Sequence, residues 1–164
     1  MHYTVVEAPI GGLLLLSDGA SLTGLYLESQ DGRLEPDGLW VRDDSSLKAA
    51  VEQLAAYFAG DLRRFDVPLA PRGTEFQRRV WDALRAVPFG TTVSYAELAR
   101  RIGMPRAARA VGLAVGRNPI SIIIPCHRVV GSDGGLTGYA GGLALKSWLL
   151  DHERMADRLP TLPG

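Results

Sequence analysis

"SYAELARRIGMPRAARAVGLAVG", residues 94–116, decides how the second half of this chain folds. Ser94 followed three residues later by Glu97 is the pattern of a helix N-terminal capping box. Gly103 is a stop signal, and Pro105 stands where the first turn of another helix would begin. Two short helices joined by Gly-Met-Pro predict a helix-turn-helix. Its second helix is crowded with small residues, Ala107, Ala108, Ala110, Gly112 and Ala114, with Arg106 and Arg109 projecting among them. So little side-chain volume lets a backbone approach a large partner such as DNA, or lets the helix pack tightly inside the protein. Both readings are open on these residues alone.

Working outward, Thr74 and Gln77 form another capping box. It opens a helix with Phe76, Val80, Ala83, Leu84 and Val87 on one face, ended by Pro88 and Gly90. Upstream, "RRFDVPLAPRG" (63–73) has two prolines and no period, and reads as a linker. At the start, "YTVVEA", "GLLLLSD" and "SLTGLYLES" are separated by turn clusters, which predicts an antiparallel meander. A polar loop around 30–44 follows. Ser45 or Ser46 is then placed to cap a helix with Leu47, Ala50, Val51, Leu54 and Phe58 at helical spacing, stopped by Gly60 and laid over the sheet. The fold class is therefore α+β. A small N-terminal antiparallel sheet with a helix is expected over 1–71, and a mainly α C-terminal domain with the helix-turn-helix over 72–164. The tail "RLPTLPG" reads as disordered.

A length of 164 residues accommodates one full-sized domain or two small ones sharing an interface, and 46% hydrophobic residues mark the chain as globular. The formal net charge of zero hides a segregation. Residues 1–71 carry 5 basic against 11 acidic residues, whereas 72–128 carry 10 arginines against 3 acids. Arginine accounts for 16 of the 18 basic residues, which favours bidentate contacts to phosphate. The basic segment is either a solvated face or the half that touches nucleic acid. No stretch approaches the roughly 18 apolar residues of a membrane span. "IGGLLLL" (10–16) lacks the basic flank of a signal peptide, so a cytoplasmic protein is expected. A single cysteine excludes an internal disulfide, and His2, His127 and His152 have no spacing that suggests a structural zinc site.

That cysteine lies in "IIIPCHRVVG", residues 122–131. Asn118-Pro119 breaks the preceding helix, and "ISIII" reads as a short buried strand leading to Pro125-Cys126. Free cysteine is most often a small buried hydrophobe. It becomes a nucleophile where a neighbouring cation or base lowers its pKa, and His127 and Arg128 follow it directly. Successive residues of an extended chain face opposite ways, so His127 reaches the thiol only through a turn or a bridging water. The glycine-rich loop "VVGSDGGLTGYAGG" comes next; it is either flexible filler or a cradle for a flat ligand with Tyr139 as one wall. In the helical stretch "LALKSWLLDHE", Glu153 is a surface acid or the group that orients His127.

At these residues the chain resembles the O6-alkylguanine-DNA alkyltransferases. The likeness rests on "IPCHRVVG", "FQRRVWDALRAVPFGTTVSYAELA", "AARAVGLAVGRNPI" and "GYAGGLALKSWLLDHE", in matching order and spacing from Gly73 to Glu153. It implies a ribonuclease H-like N-terminal sheet, and repair of O6-alkylguanine (with O4-alkylthymine as a further candidate) by single-turnover, irreversible transfer of the alkyl group from a flipped-out base to Cys126. It further implies that His127 is a base acting through water, that Glu153 holds that histidine, and that Asn118 buttresses the turn. Arg109 would fill the gap in the stack, Tyr95 would help rotate the nucleotide and contact the base, and Ala108, Gly112 and Ser132 would lie at the DNA. The carbonyls of Cys126 and Val129 would read the exocyclic amine, Tyr139 would pack on the ring, and the N–H of Ala140 would reach O6. The family often has serine where this chain has Ala140, which leaves side-chain tuning there open. Some members hold zinc in the N-terminal domain, for which this chain lacks the cysteines, so neither metal nor cofactor is expected. The implied partner is double-stranded DNA carrying O6-alkylguanine, with no membrane, no obligate protein partner, and cooperative assembly on DNA as a candidate. Competing readings are a damage sensor of the same fold without chemistry, against which Cys126 argues, and a Cys-His hydrolase, which would turn over. A helix-turn-helix regulator role would be an addition.

Overall fold

The computed structural model describes residues 1–28, 36, 38–139 and 141–158. Strands β1 (His2–Ala8), β2 (Gly11–Ser17) and β3 (Leu22–Leu27) form the expected antiparallel meander. A fourth strand, β4 (Val41–Arg42), pairs parallel to β1, giving the order β3-β2-β1-β4 among the described residues. It falls in the segment read as a polar loop, where two residues are too few to show any period. Leu13 to Leu16 are all buried, so the central strand β2 reads as a continuous apolar run rather than an alternation.

Helix α1 (Lys48–Phe58) buries Ala50, Leu54 and Tyr57. Neither candidate serine caps it: the Asp43 carboxylate accepts the Ser46 N–H at 3.1 Å, and the Lys48 N–H reaches the Ser45 carbonyl at 3.4 Å. Gly60, at φ 83°, closes the helix as expected. The segment expected to be a linker is fastened down instead. Leu22 donates to Pro68 O at 2.9 Å and Ala70 to Leu22 O at 2.8 Å, so the chain covers the free edge of β3. Gln53 clamps Asp66 from both sides, accepting its N–H at 2.7 Å and donating to its carbonyl at 3.0 Å.

Helix α2 (Glu75–Arg85) has the full capping box between Thr74 and Gln77. It buries Val80 and Leu84 as expected, and Trp81 as well. The indole of Trp81 donates to Ala114 O at 2.9 Å, which satisfies its one polar atom and sets α2 against α4. Strand β5 (Val93–Ser94) leads into α3 (Tyr95–Arg101), and α4 (Ala108–Gly116) follows. Ser94 Oγ accepts the Glu97 N–H at 3.0 Å, but the Glu97 carboxylate turns to Arg100 and Arg101, so only half of that capping box forms. Helix α4 begins three residues after Pro105, because Ala107 N–H bonds Met104 O at 2.9 Å in a turn. Helices α2, α3 and α4 pack on one another, with α3 and α4 as the two arms of the helix-turn-helix.

Strand β6 (Val129–Val130) pairs parallel with β5, and helix α5 (Leu143–Arg158) ends the described chain. One hydrophobic cluster runs through both halves, from Leu15, Leu25 and Leu54 to Leu84, Leu98, Ile124 and Leu149. Residues 159–164 of the expected disordered tail, residues 30–35 and 37 of the polar 30–44 loop, and Ala140 lie outside the described residues. Among those described, no helix is long and apolar enough to cross a membrane.

Candidate active site

The segment expected to be a buried strand, Ile120 to Ile124, is a turn. After one bridge from Ile120 to Leu25, the chain folds back, with Ile123 N–H on Ser121 O at 2.8 Å and Ile124 N–H on Ile120 O at 3.0 Å. A short apolar run does not reveal its conformation. Here the side chain of Asn118 decides it. Its Oδ1 accepts the Ile120 N–H at 3.0 Å and its Nδ2 donates to Ile124 O at 2.8 Å, which competes with any strand ladder. The turn forces Ile122 to φ 72°, a strained conformation for a β-branched residue that survives only where the surroundings dictate it.

Cys126 to Arg128 then form a single 3-10 turn, whose Cys126 carbonyl accepts the Val129 N–H. This is the turn that the adjacency of Cys126 and His127 required, since the two are no longer on opposite faces of an extended strand. His127 is fully buried. Its Nε2 lies 2.6 Å from Glu153 Oε2. Glu153, on α5, is buried too, and collects four more hydrogen bonds: Tyr57 Oη at 2.7 Å, Arg128 Nε at 2.8 Å, Arg128 Nη2 at 3.1 Å and Gly90 N at 3.2 Å. Gly90 sits at φ 77°, a conformation that suits glycine and turns its N–H onto the carboxylate.

Burial alone would raise the Glu153 pKa, but the bonds from His127 and the Arg128 guanidinium outweigh it and hold the carboxyl well below its usual range. Burial pushes the His127 pKa down, against the pull of Glu153. We therefore take Glu153 as ionised, because Arg128 grips it in a bidentate, charge-assisted pair, and His127 as neutral. A carboxylate only accepts hydrogen bonds, so His127 Nε2 carries the proton and Nδ1 keeps a free lone pair. Nδ1 is buried and has no hydrogen-bond partner among the described residues, so its lone pair is open to a proton.

Cys126 is nearly buried, and burial raises its thiol pKa. The Asn118 amide, the Lys146 ammonium and the N–H groups of Cys126 and His127 act the other way, favouring the thiolate. Lys146 of α5 is buried with its Nζ on Thr137 O at 2.9 Å, and burial lowers its pKa. Tyr139 has a buried hydroxyl without a partner among the described residues. Only glycine fits beside it at position 141: a Cβ there would stand 2.6 Å from Leu145 and 2.9 Å from the Tyr139 ring.

Tyr95 Oη is 2.8 Å from Thr137 Oγ1, and its ring lies over Gly112, where an added Cβ would be 3.6 Å away. Arg109 is exposed on α4, while Ala108 is half-buried on the same helix. Val129 is buried in β6, and Ser132 is exposed at the tip of a turn closed by Gly131 N–H on Gly135 O at 2.9 Å. The structure thus gathers Cys126, His127, Glu153 and Asn118 around one turn and sets Tyr95 of α3 on Thr137, two residues before Tyr139 in the glycine loop. It adds Tyr57, Gly90 and Lys146, and it turns Arg128, expected as the cation beside the thiol, onto Glu153 instead. Lys146 carried a faint signal as one of only two lysines, set among apolar helix residues. Tyr57 carried none. Among the described residues no group of three or more His, Cys, Asp or Glu is placed to hold a metal ion.

A buried cysteine next to a carboxylate-held histidine, carried by a helix-turn-helix fold, places the chain in the class of cysteine group-transfer proteins. The family model for the 6-O-methylguanine DNA methyltransferase DNA-binding domain matches residues 75–155, and that for the ribonuclease-like domain of the same proteins matches residues 1–71. The methylated-DNA--protein-cysteine methyltransferase of Methanosarcina acetivorans is 50% identical over 153 residues, covering 93% of this chain and 98% of that one. The protein of the same name from Mycobacterium bovis is 52% identical over 155 residues, covering 94% and 93%. The crystal structure of Mycobacterium tuberculosis OGT in complex with DNA superposes with a TM-score of 0.89 at 51% identity, over 95% of this chain and 94% of that one. The chain belongs to the 6-O-methylguanine DNA methyltransferase family.

Proposed function

We propose that this protein repairs DNA by moving the alkyl group of O6-alkylguanine onto Cys126, once per molecule. The observation that carries this reading is the buried relay in which Glu153 fixes the Nε2–H tautomer of His127 and leaves Nδ1 as a base beside the only cysteine. The lesion lies inside the duplex, so the nucleotide is rotated out at a cost of a few kcal/mol. Arg109, exposed on α4 and free of any hydrogen bond or ion pair among the described residues, fills the gap it leaves. The half-buried Ala108 and Gly112 let the helix come close to the DNA, Ser132 meets the backbone, and Tyr95 contacts the base. Tyr139 packs on the ring, the carbonyls of Cys126 and Val129 take the exocyclic amine, and the Ala140 N–H takes O6.

The thiol proton passes through a water to His127 Nδ1. The sulfur attacks the alkyl carbon in line and bonds to it, the carbon–O6 bond breaks, and its electron pair leaves with guanine, which takes up a proton with Tyr95 as the nearby donor. The product is a thioether and an unmodified guanine. Among the described residues no group is placed to cleave the thioether, so the protein is consumed, and because the acceptor is Cys126 itself the transfer calls for no cofactor. Residues 1–71 form the N-terminal domain, 72–164 the DNA-binding and transfer domain, and the protein acts in the cytoplasm. Titration with duplex containing O6-methylguanine is expected to stop at one lesion repaired per chain; continued turnover would refute the proposal. For Arg109→Ala, transfer from duplex is expected to fall about tenfold, while transfer from the free modified base, which needs no extrusion, stays within about twofold. Equal losses on both substrates would remove Arg109 from base extrusion.

A further inference from the structure

Tyr57 is the one side chain of α1 that reaches the site. Its ring is fully buried against Phe58, Phe65 and Phe89, with ring centroids 5.2, 5.5 and 6.0 Å away. A buried tyrosine ordinarily finds some acceptor for its hydroxyl. What sets this one apart is which atom it finds. Tyr57 Oη donates at 2.7 Å to Glu153 Oε2, the same oxygen that holds His127 Nε2 at 2.6 Å. Both ends of the residue are held by α5, since His152 Nε2 donates to the Tyr57 carbonyl at 2.7 Å. Arg63, a few residues further on, donates to Ala156 O at 2.9 Å and pairs with Asp157.

We infer that Tyr57, supplied by the N-terminal half, is a positioning residue of the Glu153–His127 relay, and that through it the N-terminal sheet and helix set the basicity of the site. The inference rests on the alkyl-transfer reading above. The hydroxyl draws electron density from Oε2, which keeps that oxygen from pulling the imidazole towards its protonated form, and it fixes the carboxylate plane that orients the ring. The charged and titratable groups around His127 are Glu153 and Lys146 from α5, Arg128 from its own turn and Cys126 beside it; Tyr57 from α1 and Tyr139 from the glycine loop act on Glu153. Of these, Tyr57 alone comes from residues 1–71.

The test compares the parent protein with Tyr57→Phe, which keeps the ring and removes only the oxygen, and with Arg63→Ala, which breaks a neighbouring contact between the segment after α1 and α5. Single-turnover transfer from duplex O6-methylguanine is measured from pH 5 to 9, alongside duplex affinity, Tm and the ring ¹⁵N signals of His127. Tyr57→Phe is expected to slow transfer roughly tenfold, as the loss of a hydrogen bond to a charged group would. It should also move the acid limb of the profile and the His127 titration to higher pH, with duplex affinity unchanged. Arg63→Ala is expected to lower Tm and leave both titrations in place. A Tyr57→Phe protein with the parent rate and profile, or one whose loss tracks Tm with no shift in either titration, would overturn the inference. If the parent protein forms no thioether, the alkyl-transfer reading fails instead, and the His127 signals still report whether Tyr57 sets the relay.

Discussion

Cys126→Ala is expected to abolish alkyl transfer to the level of DNA alone while leaving duplex affinity within about threefold and stability within about 1 kcal/mol. The thiol is the acceptor, so nothing replaces it; the residual rates that survive loss of a general base have no counterpart when the atom that forms the bond is gone. Binding should persist because Arg109 and the exposed face of α4 are held by α2 and α3, through Trp81 on Ala114 O at 2.9 Å, and not by the sulfur. Stability should persist because the change removes one small, nearly buried atom and leaves the Asn118 bonds that shape the turn. Gel-shift or anisotropy titrations together with urea unfolding check all three parts. A parallel loss of binding and stability would make Cys126 a packing residue.

Glu153→Ala should cost stability as well as chemistry. Five hydrogen bonds converge on this buried carboxylate, which is the one counter-charge of Arg128 among the described residues. An uncompensated buried charge costs about 3–5 kcal/mol. At 2–4 °C of Tm per kcal/mol for a chain of this size, that is a fall of roughly 10 °C. Transfer should fall further than the folded fraction explains, because His127 loses the acceptor that fixes its tautomer. Replacing Glu153 and Arg128 together by methionine is expected to restore part of the stability, since no charge is left unpaired, and none of the transfer. Scanning calorimetry and single-turnover rates on the two proteins separate these effects; full activity in either one would remove Glu153 from the relay.

Much of this architecture was legible from local signals. The capping box at Thr74, the stops at Gly60 and Gly103 and the small-residue helix after Pro105 each depend on neighbours within four positions, which a sequence displays directly. The turn at Ile120 to Ile124 was not legible. Four isoleucines around Ser121 suit a buried strand as well as a buried turn, and the choice is made by Asn118 bonding both ends of the segment. Strand β4 was hidden by its two-residue length, and the linker looked free because its partners, Leu22 and Gln53, are distant in the chain. At the site, Cys126, His127 and Glu153 stood out by chemical type. Tyr57 did not, because it lies 96 residues from the carboxylate it touches and looks like one more aromatic on an apolar helix face. Arg128 was visible as a charge, yet its role as the clamp on Glu153 appears only in three dimensions.

Everything proposed for the site requires that a carbon–sulfur bond forms at Cys126 and nowhere else. Incubation with an excess of duplex containing O6-methylguanine, followed by proteolysis and peptide mass spectrometry, measures this. The peptide spanning Cys126 is expected to gain the mass of one methylene in every molecule while no other peptide changes. An unmodified Cys126 peptide after the lesion has been repaired, or the added mass on any other residue, would contradict it.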